Sequence, residues 1–231
     1  MPEIINIFPL TIYKNPLGLQ EQEREKLIEK IIDMENISKV KTNKIQGEAW
    51  LGDVNGHENL HLNKDFENLF KLISSHIKKY IEVLNIDSNQ IDIYCQRSWA
   101  TISRGKENIR RHAHHQSNIS FAYYLKKKED DSKIIFHDSA KQNEFIPQFF
   151  HSSSINLKKI IKKRDLTNSP MVHIDTKEDD IVVFPSKSLH STQSEIQNNE
   201  RISIAADISI LAKTSENLEH MTPPIEKWKK I

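Results

Sequence analysis

The run Asp180-Ile181-Val182-Val183-Phe184-Pro185 is apolar at four consecutive positions and closed by a proline. It is too short for a buried helix and rich in β-branched residues, so it reads as a strand in the protein interior. The turn Ser186-Lys187-Ser188 leads on to His190, and Arg201 to Ile210 then reads as a second core strand. Working outward, the segments Ile91–Ser103, Asn108–His114, Asn118–Lys126, Lys133–Asp138 and Met171–Asp175 have strand character as well. Turn material separates them at Arg104-Gly105-Lys106, Lys128 to Ser132, Thr176 to Asp179 and Glu195 to Glu200.

Two helices precede the strands. From Leu19 to Met34 the apolar positions Leu27, Ile28, Ile31 and Ile32 recur at helical spacing. From Lys64 to Leu84 a second stripe runs through Phe66, Leu69, Phe70, Ile73, Ile77, Tyr80 and Ile81, with Asn63 or Asp65 available as its cap. The segment between them, with Trp50, Gly52 and Gly56, reads as a loop. Many short strands behind two helices predict an α+β fold, a β-sandwich or jelly roll with the helices packed on one sheet. We expect one domain over 1–231, with helical support in 1–90, a jelly-roll core in 91–211 and a tail in 212–231 that carries Pro223-Pro224 and Trp228. The core is interrupted by an insertion, 139–170, with a helix expected at Ile155–Lys163. A loop of that length beside a β-core commonly serves as a lid or substrate-binding segment.

Charged residues make up 28% of the 231-residue chain and the formal net charge is +1, so no global field draws in nucleic acid or a membrane surface. Basic clusters at Lys126-Lys127-Lys128 and from Lys158 to Arg164 read as solvated surface. The single cysteine, Cys95, excludes an internal disulfide framework and fits a reducing compartment; its alternating surroundings mark a buried thiol. The N-terminus lacks the basic and apolar regions of a signal peptide, and no apolar run approaches the roughly 20 residues of a membrane span. A cytoplasmic protein is expected. Exposed apolar residues on the helical layer would support a homodimer.

The chemistry-bearing residues lie on the strands. In an extended segment His112 and His114 share a face while Ala113 points away. Two imidazoles there and a third from a neighbouring strand would hold one metal ion and leave coordination positions open. With 11 histidines in the chain, chance alone provides about half a His-x-His pair, so that pair carries little by itself. The distal group carries more: His190 follows the Phe184-Pro185-Ser186 turn, and Arg201 and Ser203 then share one strand face. A guanidinium binds a carboxylate bidentately and a hydroxyl two residues on adds a hydrogen bond to the same group. The competing reading of Arg201 is a salt bridge with Glu200 or Asp207. The remaining histidines, His57, His61, His76, His137, His151, His173 and His220, read as surface or structural.

The order His-x-His, distal His, Arg-x-Ser resembles that of the 2-oxoglutarate- and Fe(II)-dependent oxygenase superfamily. More narrowly, Trp99-Ala100, Gly105, Asn108, His112-x-His114, Ser117, Ile119-Ser120 and Tyr123-Tyr124-Leu125 are similar to the core of the 2OG-Fe(II) oxygenases of bacteria and phages. Phe184-Pro185-Ser186, His190 and Arg201-Ile202-Ser203-Ile204 continue the match. It covers about half the chain, Ile91 to Ile210, with a weaker echo at Ile7-Phe8-Pro9-Leu10 and Ile12-Tyr13. The resemblance implies a double-stranded β-helix in which His112, His114 and His190 ligate Fe(II). It implies that Arg201 and Ser203 hold the distal carboxylate of 2-oxoglutarate, with Tyr124 and Ser120 as further contacts to it. The implied reaction is hydroxylation of a small-molecule or peptide substrate by O2, with release of succinate and CO2. His115 stands where the family has proline, and Phe121 and Ala122 replace family residues in the strand. The second ligand is a histidine where the superfamily commonly has a carboxylate, which leaves open whether Asp138 supplies one. Two further readings stay open at this point: a three-histidine, cupin-like metal module or inactive relative without 2-oxoglutarate, and a nucleic-acid surface on the basic clusters.

Overall fold

The computed structural model describes residues 3–39, 47–129, 132–140, 142–151, 159–193, 199–214, 216 and 219–231. Two helices, α1 (Glu21–Lys39) and α2 (Glu67–Val83), cover one face of a β-sheet. In α2 the buried residues Leu69, Ile73, Ile77, Tyr80 and Ile81 repeat at three- and four-residue spacing, which turns one stripe towards the sheet. The Asn63 side chain accepts a hydrogen bond from the Asp65 amide at 3.0 Å and starts the short turn Lys64–Phe66 that feeds α2. Acidic Glu21 and Glu23 in the first turn of α1 suit the positive end of its dipole.

The large sheet is antiparallel, in the order β1 (Tyr13–Pro16), β7 (Asp180–Pro185), β4 (Ile119–Lys126), β9 (Glu200–Ala212), β3 (Ile91–Arg104) and β2 (Trp50–Leu51). The small sheet has the order β6 (Met171–Ile174), β5 (Ile134–His137) and β8 (His190–Thr192). Together they make the jelly roll that the sequence predicts. The long pair β3–β9 sets its frame, with Ser103 opposite Arg201, Thr101 opposite Ser203 and Arg97 opposite Asp207. Ala100, Ile102, Ile202, Ile204, Ala206 and Ile208 share one core with α1 and α2. On the other face Tyr124, Val182 and Phe184 pack with Ile134 and Phe136 of the small sheet.

Several local expectations change. Asn108–His114 is not a regular strand; it is held by single bridges, Asn108 to Glu48 and His112 to His190. The expected loop around Trp50 contains strand β2 and a short turn at Asp53–Asn55. A side chain at Gly52 would meet the Ala100 carbonyl at 3.1 Å, so glycine lets this segment lie against β3. Strands β1, β2 and β8, of two to four residues, escape sequence reading because so short a run shows no period. Of the helix expected at Ile155–Lys163, residues 155–158 lie outside the described residues, 159–160 are helical and 161–163 are not. The tail docks: the Ala212 amide donates to the Thr222 carbonyl at 2.9 Å and Met221 packs on the main core. Among the described residues no helix is long and apolar enough to cross a membrane.

Candidate active site

The three histidines expected to act together meet between the sheets. His112 and His190 exchange backbone hydrogen bonds at 2.9 Å in both directions, and the His114 amide donates to the Ser186 carbonyl at 2.9 Å. The turn after β7 thus anchors the His-x-His segment, whose backbone needs no ladder of its own. Ring centroids lie 4.2 Å apart for His112–His190, 5.0 Å for His112–His114 and 5.3 Å for His114–His190. One nitrogen from each lies within 4.8 Å of the others, the one metal-capable cluster among the described residues.

Each Nδ1 has an acceptor that cannot donate. For His112 it is the Arg110 carbonyl at 2.8 Å, for His190 the Ser188 carbonyl at 2.9 Å, and for His114 the Asp207 Oδ1 at 2.8 Å. All three Nδ1 atoms must therefore carry the proton, which leaves each Nε2 a lone pair for a metal. Burial, reinforced by neighbouring His112, pushes His190 down to about 3, and burial also lowers His112. Neutral imidazoles are the ligand form, so the donor set fits a divalent transition ion.

Further along the same cavity, of about 410 Å³, lie Thr101, Tyr124, Thr192, Arg201 and Ser203. Arg201 is only 1% exposed. Its guanidinium donates to Ser103 Oγ at 2.9 Å, to Thr192 Oγ1 at 3.3 Å and to Ser132 Oγ. Among the described residues no carboxylate pairs with it: Glu200 takes Arg104 and Lys126, and Asp207 takes Arg97 and His114. A buried cation surrounded by neutral hydroxyls is costly unless a ligand brings the counter-charge, and a carboxylate fits. Ser203 and Tyr124 are register partners beside it, and burial raises the Tyr124 phenol.

Ser120 is elsewhere. It is buried, its hydroxyl lies 2.7 Å from Ser186 Oγ, and it is not among the residues lining the cavity. Asp138 is exposed and caps a turn through the Ala140 amide at 2.9 Å, outside the metal-capable cluster. The carboxylate at the imidazoles is Asp207. Sequence reading weighed it only as a partner for Arg201, although its even spacing from Arg201 and Ser203 puts it on their strand face. Arg97, Trp99 and Asp53 also line the cavity. Arg97 lies over the Trp99 ring, 5.0 Å from its centroid, and Trp99 stands beside His114 at 5.7 Å. Three further histidines serve the frame: His76 meets Tyr13 at 2.8 Å, His61 meets Ser98 at 2.7 Å and His137 meets Ser191 at 2.9 Å. Burial pushes the Cys95 thiol up to about 12, in keeping with an inert structural cysteine.

Residues 97–207 match the family described as "Putative 2OG-Fe(II) oxygenase". No curated protein matches the chain. Similar solved structures include HygX from Streptomyces hygroscopicus with nickel and 2-oxoglutarate bound, 8% identical over 93% of this chain and 92% of that one, with a TM-score of 0.52. A Pseudomonas putida prolyl-4-hydroxylase is 10% identical over 87% of this chain and 92% of that one, TM-score 0.52. The viral collagen prolyl hydroxylase of Paramecium bursaria Chlorella virus-1, as its 2OG complex, is 14% identical over 85% and 94%, TM-score 0.51. At these identities the likeness establishes the fold. The matched segment holds all three clustered histidines together with Arg201 and Ser203, and over it the chain is similar to the 2OG-Fe(II) oxygenase family, which fits a 2-oxoglutarate-dependent dioxygenase with iron as its metal.

Proposed function

We propose that His112, His114 and His190 hold the iron through Nε2, and that Arg201 and Ser203 hold the distal carboxylate of 2-oxoglutarate, with Tyr124 beside them. One observation carries this reading: three proton-directed imidazoles and a buried guanidinium, without a carboxylate partner among the described residues, lie along one cavity. When bound, iron supplies oxygen activation coupled to decarboxylation of 2-oxoglutarate to succinate and CO2, with substrate hydroxylation as the outcome. The chain's own part is to orient and exclude water. Arg201 neutralises the distal carboxylate, Ser203 adds a hydroxyl, and Phe184, Phe136 and Ile134 keep the floor dry. Trp99, Arg97 and Asp53 stand where a substrate would rest beside the metal.

The substrate is a small molecule or a peptide. A nucleic acid is disfavoured, since Lys126 is taken by Glu200 and Arg164 donates to the carbonyls of Phe150 and Asn168. The lone Cys95 fits a cytoplasmic setting. We read 1–231 as one domain, because α1, α2 and the large sheet share a core. A metal module without 2-oxoglutarate would have no use for a buried Arg201 held among hydroxyls. The deciding experiment is anaerobic titration of the Fe(II)-loaded protein with 2-oxoglutarate, with Arg201→Ala in parallel. A visible charge-transfer band that fades in the variant supports the cosubstrate site; no band with iron bound retires it.

A further inference from the structure

Asp207 is 0% exposed and lies behind the imidazoles, beside His114. Its Oδ1 accepts from His114 Nδ1 at 2.8 Å and from Ser117 Oγ at 3.3 Å. Its Oδ2 accepts from Arg97 Nε at 2.9 Å, Arg97 Nη2 at 2.6 Å and Gln116 Nε2 at 2.9 Å. Among the three imidazoles the arrangement is asymmetric: His112 and His190 donate to neutral carbonyls and His114 alone donates to a carboxylate. A strand-to-strand ion pair does not require this. The Arg97 side chain is 37% exposed and could pair near solvent, yet its partner is fully buried with one oxygen turned to a ring nitrogen.

From this geometry we propose that Asp207 is the positioning and charge-supplying partner of His114, making the site a three-imidazole, one-carboxylate centre in which the negative charge sits one ring away from the metal. The proposal rests on the three histidines being the ligands. A carboxylate on Nδ1–H fixes the tautomer, holds the ring plane and makes Nε2 more basic. Three neutral imidazoles bring no charge to a divalent ion; Asp207 restores one unit without occupying a coordination position. Arg97 competes for the same carboxylate through Oδ2 and so sets how much of that charge reaches His114.

Two variants of the full chain separate this from a structural role, with Co(II) and Fe(II) as the probes. Metal affinity is read by chelator competition, and the Fe(III)/Fe(II) midpoint potential by titration. Asp207→Asn keeps the shape and an acceptor but removes the charge. It should weaken metal binding by about 10- to 100-fold and raise the potential. Arg97→Gln keeps the carboxylate and removes its competitor, so the potential should fall and binding should hold or tighten. A prop between β3 and β9 predicts the opposite pattern, because both variants break the same ion pair and would shift together. Unchanged affinity and potential in a folded Asp207→Asn, or parallel shifts in the two variants, overturn the proposal. If Asp207→Asn does not fold, Arg97→Gln decides alone: a lower potential supports the proposal and an unchanged or higher one overturns it. A wild type that binds neither metal overturns the ligand assignment as well, whereas tight wild-type binding with an indifferent Asp207→Asn removes this inference only.

Discussion

On the side of the large sheet that meets the helices, β9 presents Ile202, Ile204, Ala206 and Ile208; on the side that meets the cavity, the same strand presents Arg201, Ser203, Ala205 and Asp207. Apart from half-buried Ala205, both sets are buried, so burial alone does not distinguish them. The helical face is stabilised by removing apolar surface from water. The cavity face holds a cation that has no carboxylate partner among the described residues, and an anion aimed at an imidazole. Because strand side chains alternate, a slip of one residue in the β3–β9 register would exchange the two faces.

The largest effect should come from the cavity face. His190→Ala should reduce succinate formation by more than about 100-fold while the protein stays folded, measured with far-UV circular dichroism beside the assay. The same variant should flatten the acid limb of apo-protein stability. His190 is held far below its unfolded value by burial, so its contribution is full above pH of about 6.5 and is lost as pH falls towards about 3. Denaturant unfolding across that window checks the sign.

Ile204→Ala, on the opposite face, should cost about 2–5 kcal/mol of stability by denaturant unfolding. Its folded fraction should bind 2-oxoglutarate nearly as the wild type does. Arg201→Ala should show the inverse: loss of about 2–3 kcal/mol of cosubstrate binding, roughly 30- to 150-fold in Kd by calorimetry, with the apo-protein melting no earlier than wild type. A large fall in apo stability there would break the comparison. The smallest effect should follow Ser120→Ala, about 1 kcal/mol of stability through Ser186 and no change in the Kd for 2-oxoglutarate. A changed Kd would return Ser120 to the cosubstrate contacts.

Much of this was legible in the chain, for reasons that can be named. Helix and strand periods put α1, α2, β3, β4, β7 and β9 within a few residues of their observed bounds. The residue types at 112, 114 and 190 pointed to the metal-capable cluster, and those at 201 and 203 suggested a carboxylate partner, before any contact was known. The Asn108–His114 segment misled, because its side-chain alternation is that of a strand whereas its backbone is held by two single bridges. Ser120 shares a strand face with Tyr124 and still points to different company, since that face runs from the Arg201 end of the cavity to the Ser117–Ser186 cluster.

The order of elements, the buried faces and the identity of the chemical groups are properties of neighbours along the chain, and the sequence alone determined them. Tertiary structure alone decided which carboxylate meets which imidazole, that Arg201 has no acidic partner among the described residues, and that a nitrogen of each of three imidazoles comes to one place. Those outcomes depend on strand register and on distances of a few ångströms between residues as far apart as His114 and Asp207, where Coulomb and hydrogen-bond energies change steeply with position.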